Sequence, residues 1–278
     1  NSKLDKSLKS FLNLILDQDM FKEQMVKKNF DVKKMPLGKL SKKQIAKGFE
    51  VLVDLESELK KRNPSRNEIN ELSSEFYTLI PHSFGRRVPP PIDTMTKVQE
   101  KFEALEFLQD VENAQDVMDN TKTLDTKYKQ MHCELKVLDK KSTIYKDLAK
   151  YFNDCKGGYG VQILDILEVE QPKQTKRYKE FETLNNKRLL WHGTNIAVVV
   201  AILKSGLRIM PHSGGRVGKG IYFASEVAKS LSYCSASPTN EFCVFLGEVA
   251  LGKRKSIIRD DSSLVKAPNG YDCIVAEG

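Results

Sequence analysis

The chain has 278 residues, 40% hydrophobic and 29% charged, with a formal net charge of +8. That is enough for one large or two medium domains. Five cysteines without a Cys-x-x-Cys pair exclude a disulfide-stapled miniprotein and argue against a zinc finger, and no run of 18 apolar residues suggests a membrane span.

No charged n-region and apolar h-region open the chain, so no signal peptide is expected. Because it starts at Asn1, it is expected to be part of a longer or processed protein. Residues 4–16 predict a short helix with Leu4, Leu8, Phe11, Leu12 and Ile15. Residues 41–62 put Ile45, Phe49, Leu52, Val53 and Leu59 on one helical face. Ser41 with Gln44 fits a capping box, and Lys60, Lys61 and Arg62 suit the negative end of the helix dipole. Asn63-Pro64 predicts a cap and first-turn proline for a helix carrying Ile69, Leu72, Phe76 and Leu79 and stopping at Pro81. Pro89-Pro90-Pro91 marks a loop. Residues 94–118 then repeat the helical pattern with Val98, Phe102, Leu105, Leu108 and Val111. With no strand-like alternation before about residue 160, residues 1–122 read as a helical bundle without a catalytic constellation. His82, beside Pro81, is expected to make a local hydrogen bond.

The second half has another texture. After a helix near 143–152, candidate strands are Val161–Val169, Arg188–His192, Gly220–Ala224 and Cys243–Ala250. Short helices are predicted over 195–204, ended by Gly206, and over about 226–234. The class is α+β, an all-α bundle followed by a mixed α/β domain over 123–278. No regular βαβ alternation supports a doubly wound sheet. Lys and Arg number 21 against 20 acids in residues 1–122, and 24 against 17 in residues 123–278. The basic excess therefore lies in the second half, either as solvated surface or as attraction for a polyanion or phosphate-bearing ligand.

The segment Ser213-Gly214-Gly215-Arg216-Val217-Gly218-Lys219-Gly220 resembles a phosphate loop only superficially. A Walker loop needs glycine where Ser213 stands and Ser or Thr where Gly220 stands. A dinucleotide fingerprint fails at Phe223. What remains is a flexible basic loop, either a hairpin connection or a lid over a ligand. Two motifs flank it: Leu189-Leu190-Trp191-His192-Gly193-Thr194 and Gly218-Lys219-Gly220-Ile221-Tyr222-Phe223-Ala224, the latter followed by Lys229-Ser230-Leu231-Ser232-Tyr233.

Together these motifs resemble the poly(ADP-ribose) polymerase family, the diphtheria-toxin-like ADP-ribosyltransferases, over essentially the whole chain. Residues 1–122 are similar to the family's helical regulatory domain, including Pro36-Leu37-Gly38-Lys39-Leu40 and the run Phe76–Gly85. Residues 123–278 are similar to the N-terminal part of its transferase domain, including Leu246–Gly252. The run Gly206–Lys219 is particularly similar to a mono-ADP-ribosylating branch activated by DNA strand breaks.

The resemblance implies an NAD+-dependent protein ADP-ribosyltransferase, with NAD+ as substrate and no metal. His192 would hold the adenosine-ribose 2′-hydroxyl, Gly193 and Ser230 the nicotinamide carboxamide, and Tyr233 and Tyr222 the two sides of the nicotinamide ring. His192 and Tyr222 are the candidate catalytic positions. Phe223 joins the binding set, Arg208 would neighbour the adenosine-phosphate part, and Lys229 would support the pocket. The family completes its site with a glutamate in a Tyr-Asn-Glu-Tyr-like context. The chain reaches Gly278 without that context, so a C-terminally incomplete transferase is expected, with Glu248 and Glu277 poor substitutes. Implied partners are NAD+ and acceptor proteins, including the protein itself. DNA breaks would act through a domain outside this chain, with the helical domain as a gate and the nucleus as location. The alternatives are a non-catalytic NAD or ADP-ribose reader and a DNA-binding protein. Cys133, Cys155, Cys234, Cys243 and Cys273 are expected as reduced thiols, His132 has no metal-like spacing, and His212 reads as a solvated loop residue or a neighbour of adenine.

Overall fold

The structure is a computed structural model and describes residues 2–37, 39, 41–210 and 215–277. Gly38 and Leu40 of the Pro36–Leu40 motif and residues 211–214, His212 among them, lie outside the described residues. In chain order the elements are α1 (Lys6–Ile15), α2 (Gln18–Lys27), α3 (Lys42–Leu59), α4 (Arg66–Leu79), α5 (Met95–Ala114), α6 (Leu124–Gln130), β1 (Glu134–Val137), α7 (Thr143–Cys155), β2 (Leu167–Glu170) and α8 (Pro172–Lys179). They continue with β3 (Lys187–Gly193), a 3-10 turn (Ile196–Val198), α9 (Val199–Ser205), α10 (Val227–Leu231), β4 (Val244–Ala250), β5 (Arg254–Ile257) and β6 (Cys273–Ala276). The described residues form two compact units, one of 2–17, 117–209 and 215–277, the other of 18–116 with Met210.

The helical unit is built around α5. That helix buries Val98, Phe102, Leu105, Leu108 and Val111 at helical spacing, and Ala104 and Phe107 besides. Helix α3 packs on both α4 and α5. Gly48 permits the approach: a Cβ there would lie 3.1 Å from Ile80 and 3.2 Å from Leu105. Helix ends follow side-chain chemistry. Thr94 Oγ1 accepts from the Lys97 amide at 3.2 Å, and Ser65 Oγ accepts from the Glu68 amide at 3.4 Å. Two expectations change here. Ser41 precedes α3 but makes no side-chain cap bond: the Gln44 amide donates to the Ser41 carbonyl oxygen at 3.0 Å, and the Gln44 side chain donates from Nε2 to the Leu79 carbonyl at 2.8 Å. The cap of α4 is Ser65, not Asn63, so Pro64 lies before the helix.

His82 makes the local bond expected of it, with Nδ1 2.7 Å from the Ile80 carbonyl oxygen. It is buried among the rings of Phe30, Phe76, Tyr77 and Phe84, at centroid distances of 5.0 to 5.9 Å. Burial, helped by the nearby Lys101 charge, lowers its pKa to about 4.

The other unit holds three two-stranded ladders. β1 pairs antiparallel with β2, β3 antiparallel with β4, and β5 parallel with β6. β1 corrects the expectation of no strand before residue 160; four residues are too few for alternation to show in sequence. Of the predicted strand Val161–Val169 only its end belongs to β2, and Gly220–Ala224 reduces to a single bridge between Ala224 and Trp191. Helices α2, α6 and α8 and strands β5 and β6 were not anticipated. A small core of Phe152, Cys155, Trp191, Val227 and Leu231 supports β3, with Val244 and Leu246 of β4 packed against it. All five cysteines are free thiols.

Candidate active site

The site is built at the C-terminal end of β3. Side chains alternate along a strand, so Trp191 and His192 face opposite ways. Trp191 enters the core, stacked at 5.3 Å on Tyr151 and edge-on at 5.9 Å to Phe152. Its backbone is held on both sides: it is in register with Leu246 of β4, and across the other edge it exchanges hydrogen bonds with Ala224 at 2.8 and 2.9 Å. The Tyr151 hydroxyl, 3.2 Å from the Leu189 carbonyl oxygen and 3.3 Å from that of Ser225, ties the same two segments together. No motif in the sequence signalled that role.

This clamp sets the direction of His192. Its Nδ1 lies 2.8 Å from the Tyr222 carbonyl oxygen. A carbonyl can only accept, so Nδ1 carries the proton and neutral His192 presents Nε2 as an acceptor. Burial lowers the pKa of the imidazole, against a smaller upward push from the Tyr222 carbonyl, which keeps the ring neutral at pH 7. Phe223 walls one side, its ring tilted 5.7 Å from the imidazole.

Gly193 and Ser230 are brought into direct contact. A Cβ at Gly193 would collide with the Ser230 carbonyl oxygen, so glycine is required there for close approach. Ser230 is buried on α10, which docks on the Trp191 core through Val227 and Leu231. Tyr233 follows within one turn, its amide donating to the Ser230 carbonyl oxygen at 3.1 Å, and its ring is 66% exposed.

Tyr222 has a second task that its motif did not reveal. Its hydroxyl donates to the Gly218 carbonyl oxygen at 2.6 Å and accepts from the Val217 amide at 3.2 Å. A Cβ on Gly215 would strike the Tyr222 ring, so glycine is needed here too. The loop is fixed further by an Arg216–Asp260 ion pair at 2.7 Å and a bond from the Lys219 amide to the Leu264 carbonyl at 2.7 Å. Residues 215–219 are therefore a pinned turn where a flexible loop was expected. Desolvation raises the Tyr222 phenol pKa, with a smaller contribution from Tyr233 nearby.

The remaining candidates stand further out. Arg208 lies two residues past the Gly206 helix stop, half-buried, on the chain leading to residues 211–214. Lys229 is exposed on α10. Glu248 is paired in register with Leu189 and so shares the Trp191 face of the ladder, away from His192; the Tyr178 hydroxyl donates to its Oε1. Glu277 accepts from the Ser256 hydroxyl at 2.6 Å. The structure thus joins His192 with Tyr222 and Phe223, and Gly193 with Ser230. Neither glutamate takes part.

Residues 2–139 match the family model for the poly(ADP-ribose) polymerase regulatory domain, and residues 142–278 that for the poly(ADP-ribose) polymerase catalytic domain. The chain is similar to protein mono-ADP-ribosyltransferase PARP3 of Gallus gallus, 46% identical over 283 residues that cover 99% of this chain and 53% of that protein. The Homo sapiens protein of that name is 45% identical, with 99% of this chain and 54% of that protein covered. Poly [ADP-ribose] polymerase 1 of Gallus gallus is 36% identical, with 100% and 29% covered. The chain spans about half the length of the two PARP3 relatives.

Proposed function

The chain belongs to the poly(ADP-ribose) polymerase family, and from that premise we propose that it is the regulatory and catalytic portion of an NAD+-dependent protein mono-ADP-ribosyltransferase. The observation that carries this reading is the pair of arrangements at the end of β3: a histidine locked in one tautomer, beside a glycine packed directly on the backbone of Ser230. The first suits a ribose hydroxyl as donor. The second sets Gly193 and Ser230 side by side, where both can reach one carboxamide.

In the reaction the bond between the nicotinamide nitrogen and ribose C1′ breaks, and its electron pair returns to the ring, which leaves neutral. An acceptor side chain forms the new bond at C1′ and its proton passes to solvent. His192 Nε2 would accept from the adenosine-ribose hydroxyl, and Ser230 would orient the carboxamide. Tyr222 and Tyr233 would bracket the cationic ring. Cation–π attraction weakens as the ring becomes neutral, so the aromatic pair serves orientation more than acceleration. The chain's contribution is positioning in a partly desolvated site. A nuclear location and a role after DNA breakage complete the reading; they rest on the family likeness of residues 206–219.

The test is NAD+ binding by titration calorimetry, with transfer of labelled ADP-ribose measured in the full-length protein. His192→Ala is expected to weaken NAD+ binding about 5- to 30-fold, the worth of one hydrogen bond in a buried site. Wild-type affinity is expected to be flat through the ordinary imidazole range and to fall only at lower pH, where buried His192 takes up its proton. Unchanged binding and transfer in His192→Ala would sink the assignment. NAD+ binding without any transfer would favour a non-catalytic reader.

A further inference from the structure

Positive charge is concentrated in one place that the NAD+ reading does not use. Residues 172–188 hold six cations, Lys173, Lys176, Arg177, Lys179, Lys187 and Arg188, against Glu180 and Glu182, which is half of the net +8 in 17 residues. All six cations are exposed, and α8 buries no residue. Lys173, Lys176 and Lys179 form an i, i+3, i+6 row. Among the described residues, none of these three lysines, nor Lys187 or Arg188, forms an ion pair.

The charge continues across the adjoining ladder. The Lys187 ammonium sits 5.8 Å over the Tyr178 ring, joining β3 to α8. The Leu251 and Gly252 amides donate to the Asn186 and Asn185 carbonyls at 3.1 and 3.0 Å, which lays Lys253-Arg254-Lys255 beside the start of β3. These three also form no ion pair among the described residues, and the Lys253 and Lys255 ammoniums share the Tyr271 ring at 5.0 and 5.5 Å. Two nearby carboxylates are hydrogen-bonded in place, Glu248 by Tyr178 and Asp272 by the Lys253 amide at 2.7 Å. Glu180 and Glu182 are exposed between Lys179 and Lys187, with Glu182 close enough to act on Tyr178, and leave the segment four positive charges in excess.

We infer that α8, the first residues of β3 and the Lys253–Lys255 segment form a binding surface for the phosphate backbone of single-stranded nucleic acid. Unpaired, solvated cations along a continuous stripe are what counterion release requires. Rings among them favour a nucleic acid over an acidic peptide, because bases stack and carboxylates do not: Phe181 is 49% exposed, and Tyr178 and Tyr271 are half-buried beneath lysines. Lys187 and His192 stand at opposite ends of β3, roughly 17 Å apart for five strand residues, so the surface is separate from the candidate NAD+ site.

The experiment is fluorescence anisotropy of a labelled 20-nucleotide single-stranded DNA titrated with this chain at several salt concentrations. Binding is expected to be salt-dependent. Lys173→Glu/Lys176→Glu/Lys179→Glu is expected to weaken it roughly tenfold or more and to reduce the salt slope by about three. The three lysine-to-arginine changes should retain it, and His192→Ala should leave it unchanged. Helix α8 buries nothing, so the reversed variant should keep its circular dichroism and melting temperature, which are measured alongside. The comparison that decides is Lys22→Glu/Lys27→Glu/Lys60→Glu, which changes net charge equally on the helical unit. If both triple variants weaken binding alike, net charge and not this surface is responsible, and the inference fails. It also fails if the α8 variant binds as wild type, or if polyglutamate displaces the DNA as readily as unlabelled DNA does.

Discussion

The helical unit and the α8–β5 surface of the other unit handle lysine in opposite ways. In the helical unit Lys22, Lys27, Lys60, Lys61 and Lys97 each lie beside a carboxylate three or four residues away on their own chain, with Asp19, Glu23, Glu56, Glu58 and Asp93 as partners. Such pairs contribute a few tenths of a kcal/mol each to their helices, and the charge is spent locally. In the other unit Lys122, Lys136, Lys140 and Lys150 are also paired, with Asp119, Glu168, Asp165 and Asp154, but among the described residues the lysines of α8 and β5 are not. Both units bury apolar side chains almost completely, Met20, Phe21, Phe30, Phe76, Leu105 and Leu108 in the helical unit and Leu12, Ile15, Met131, Ile196, Val200 and Leu203 in the other. The cluster beneath β3 is a small one, five buried residues gathered on Trp191. What sets the α8–β5 surface apart is charge left without a paired carboxylate among the described residues.

The largest expected effect tests how far the small core supports the site. Trp191→Ala should cost about 3–5 kcal/mol through the cavity it leaves. It should also abolish NAD+ binding, because the clamp that aims His192 is built on Trp191. Chemical denaturation followed by calorimetry at a temperature where the variant is folded checks both. A variant that loses stability but binds NAD+ normally would separate the core from the site and break the comparison.

The next effect belongs to the helical unit. His82 titrates near 6.5 when unfolded and near 4 when folded. The unfolded chain therefore takes up the proton first. The stabilisation is fully present above pH 6.5 and is lost as pH falls toward 4, by about 3 kcal/mol. His82→Gln should remove that slope while leaving the pH dependence of NAD+ binding intact. Denaturant midpoints across pH 4–7 give the answer; a wild-type slope that survives His82→Gln would assign the proton elsewhere.

How much of this could be read in advance follows from the physics of each element. Helices with a clean apolar stripe were legible, as in α1, α3, α4 and α5. Helix α2 buries Met20, Phe21, Gln24 and Met25, which is not a pure apolar row, and α8 has no buried residue to reveal it. Strands of four residues such as β1, β5 and β6 are too short to show alternation. Of the candidate positions that the motifs named, the structure brings His192 to Tyr222 and Phe223, and Gly193 to Ser230. Their settings were not legible in the sequence. The tautomer of His192 depends on a backbone carbonyl, and the pinning of residues 215–219 depends on Asp260 and Leu264, some 45 residues away. The basic excess of the second half could be counted, but whether a lysine is paired is a matter of distance, and a count carries none.

The smallest expected effect concerns two serines that look alike in sequence. Ser41 and Ser65 each precede a helix, with Gln44 and Glu68 three residues on. Only Ser65 uses its hydroxyl, accepting from the Glu68 amide, while its own amide donates to Glu58 Oε1 at 2.8 Å. Ser65→Ala should therefore cost about 1 kcal/mol, the usual worth of a cap. Ser41→Ala removes no side-chain cap bond and should fall within about 0.5 kcal/mol of wild type. Gln44 is the residue that matters at the start of α3, since its side chain satisfies the carbonyl of Leu79 at the end of α4. Gln44→Ala should exceed Ser41→Ala in urea denaturation. The reverse order would show that α3 is capped in solution as its sequence suggests, and that the helical unit is less settled by tertiary contacts than its packing indicates.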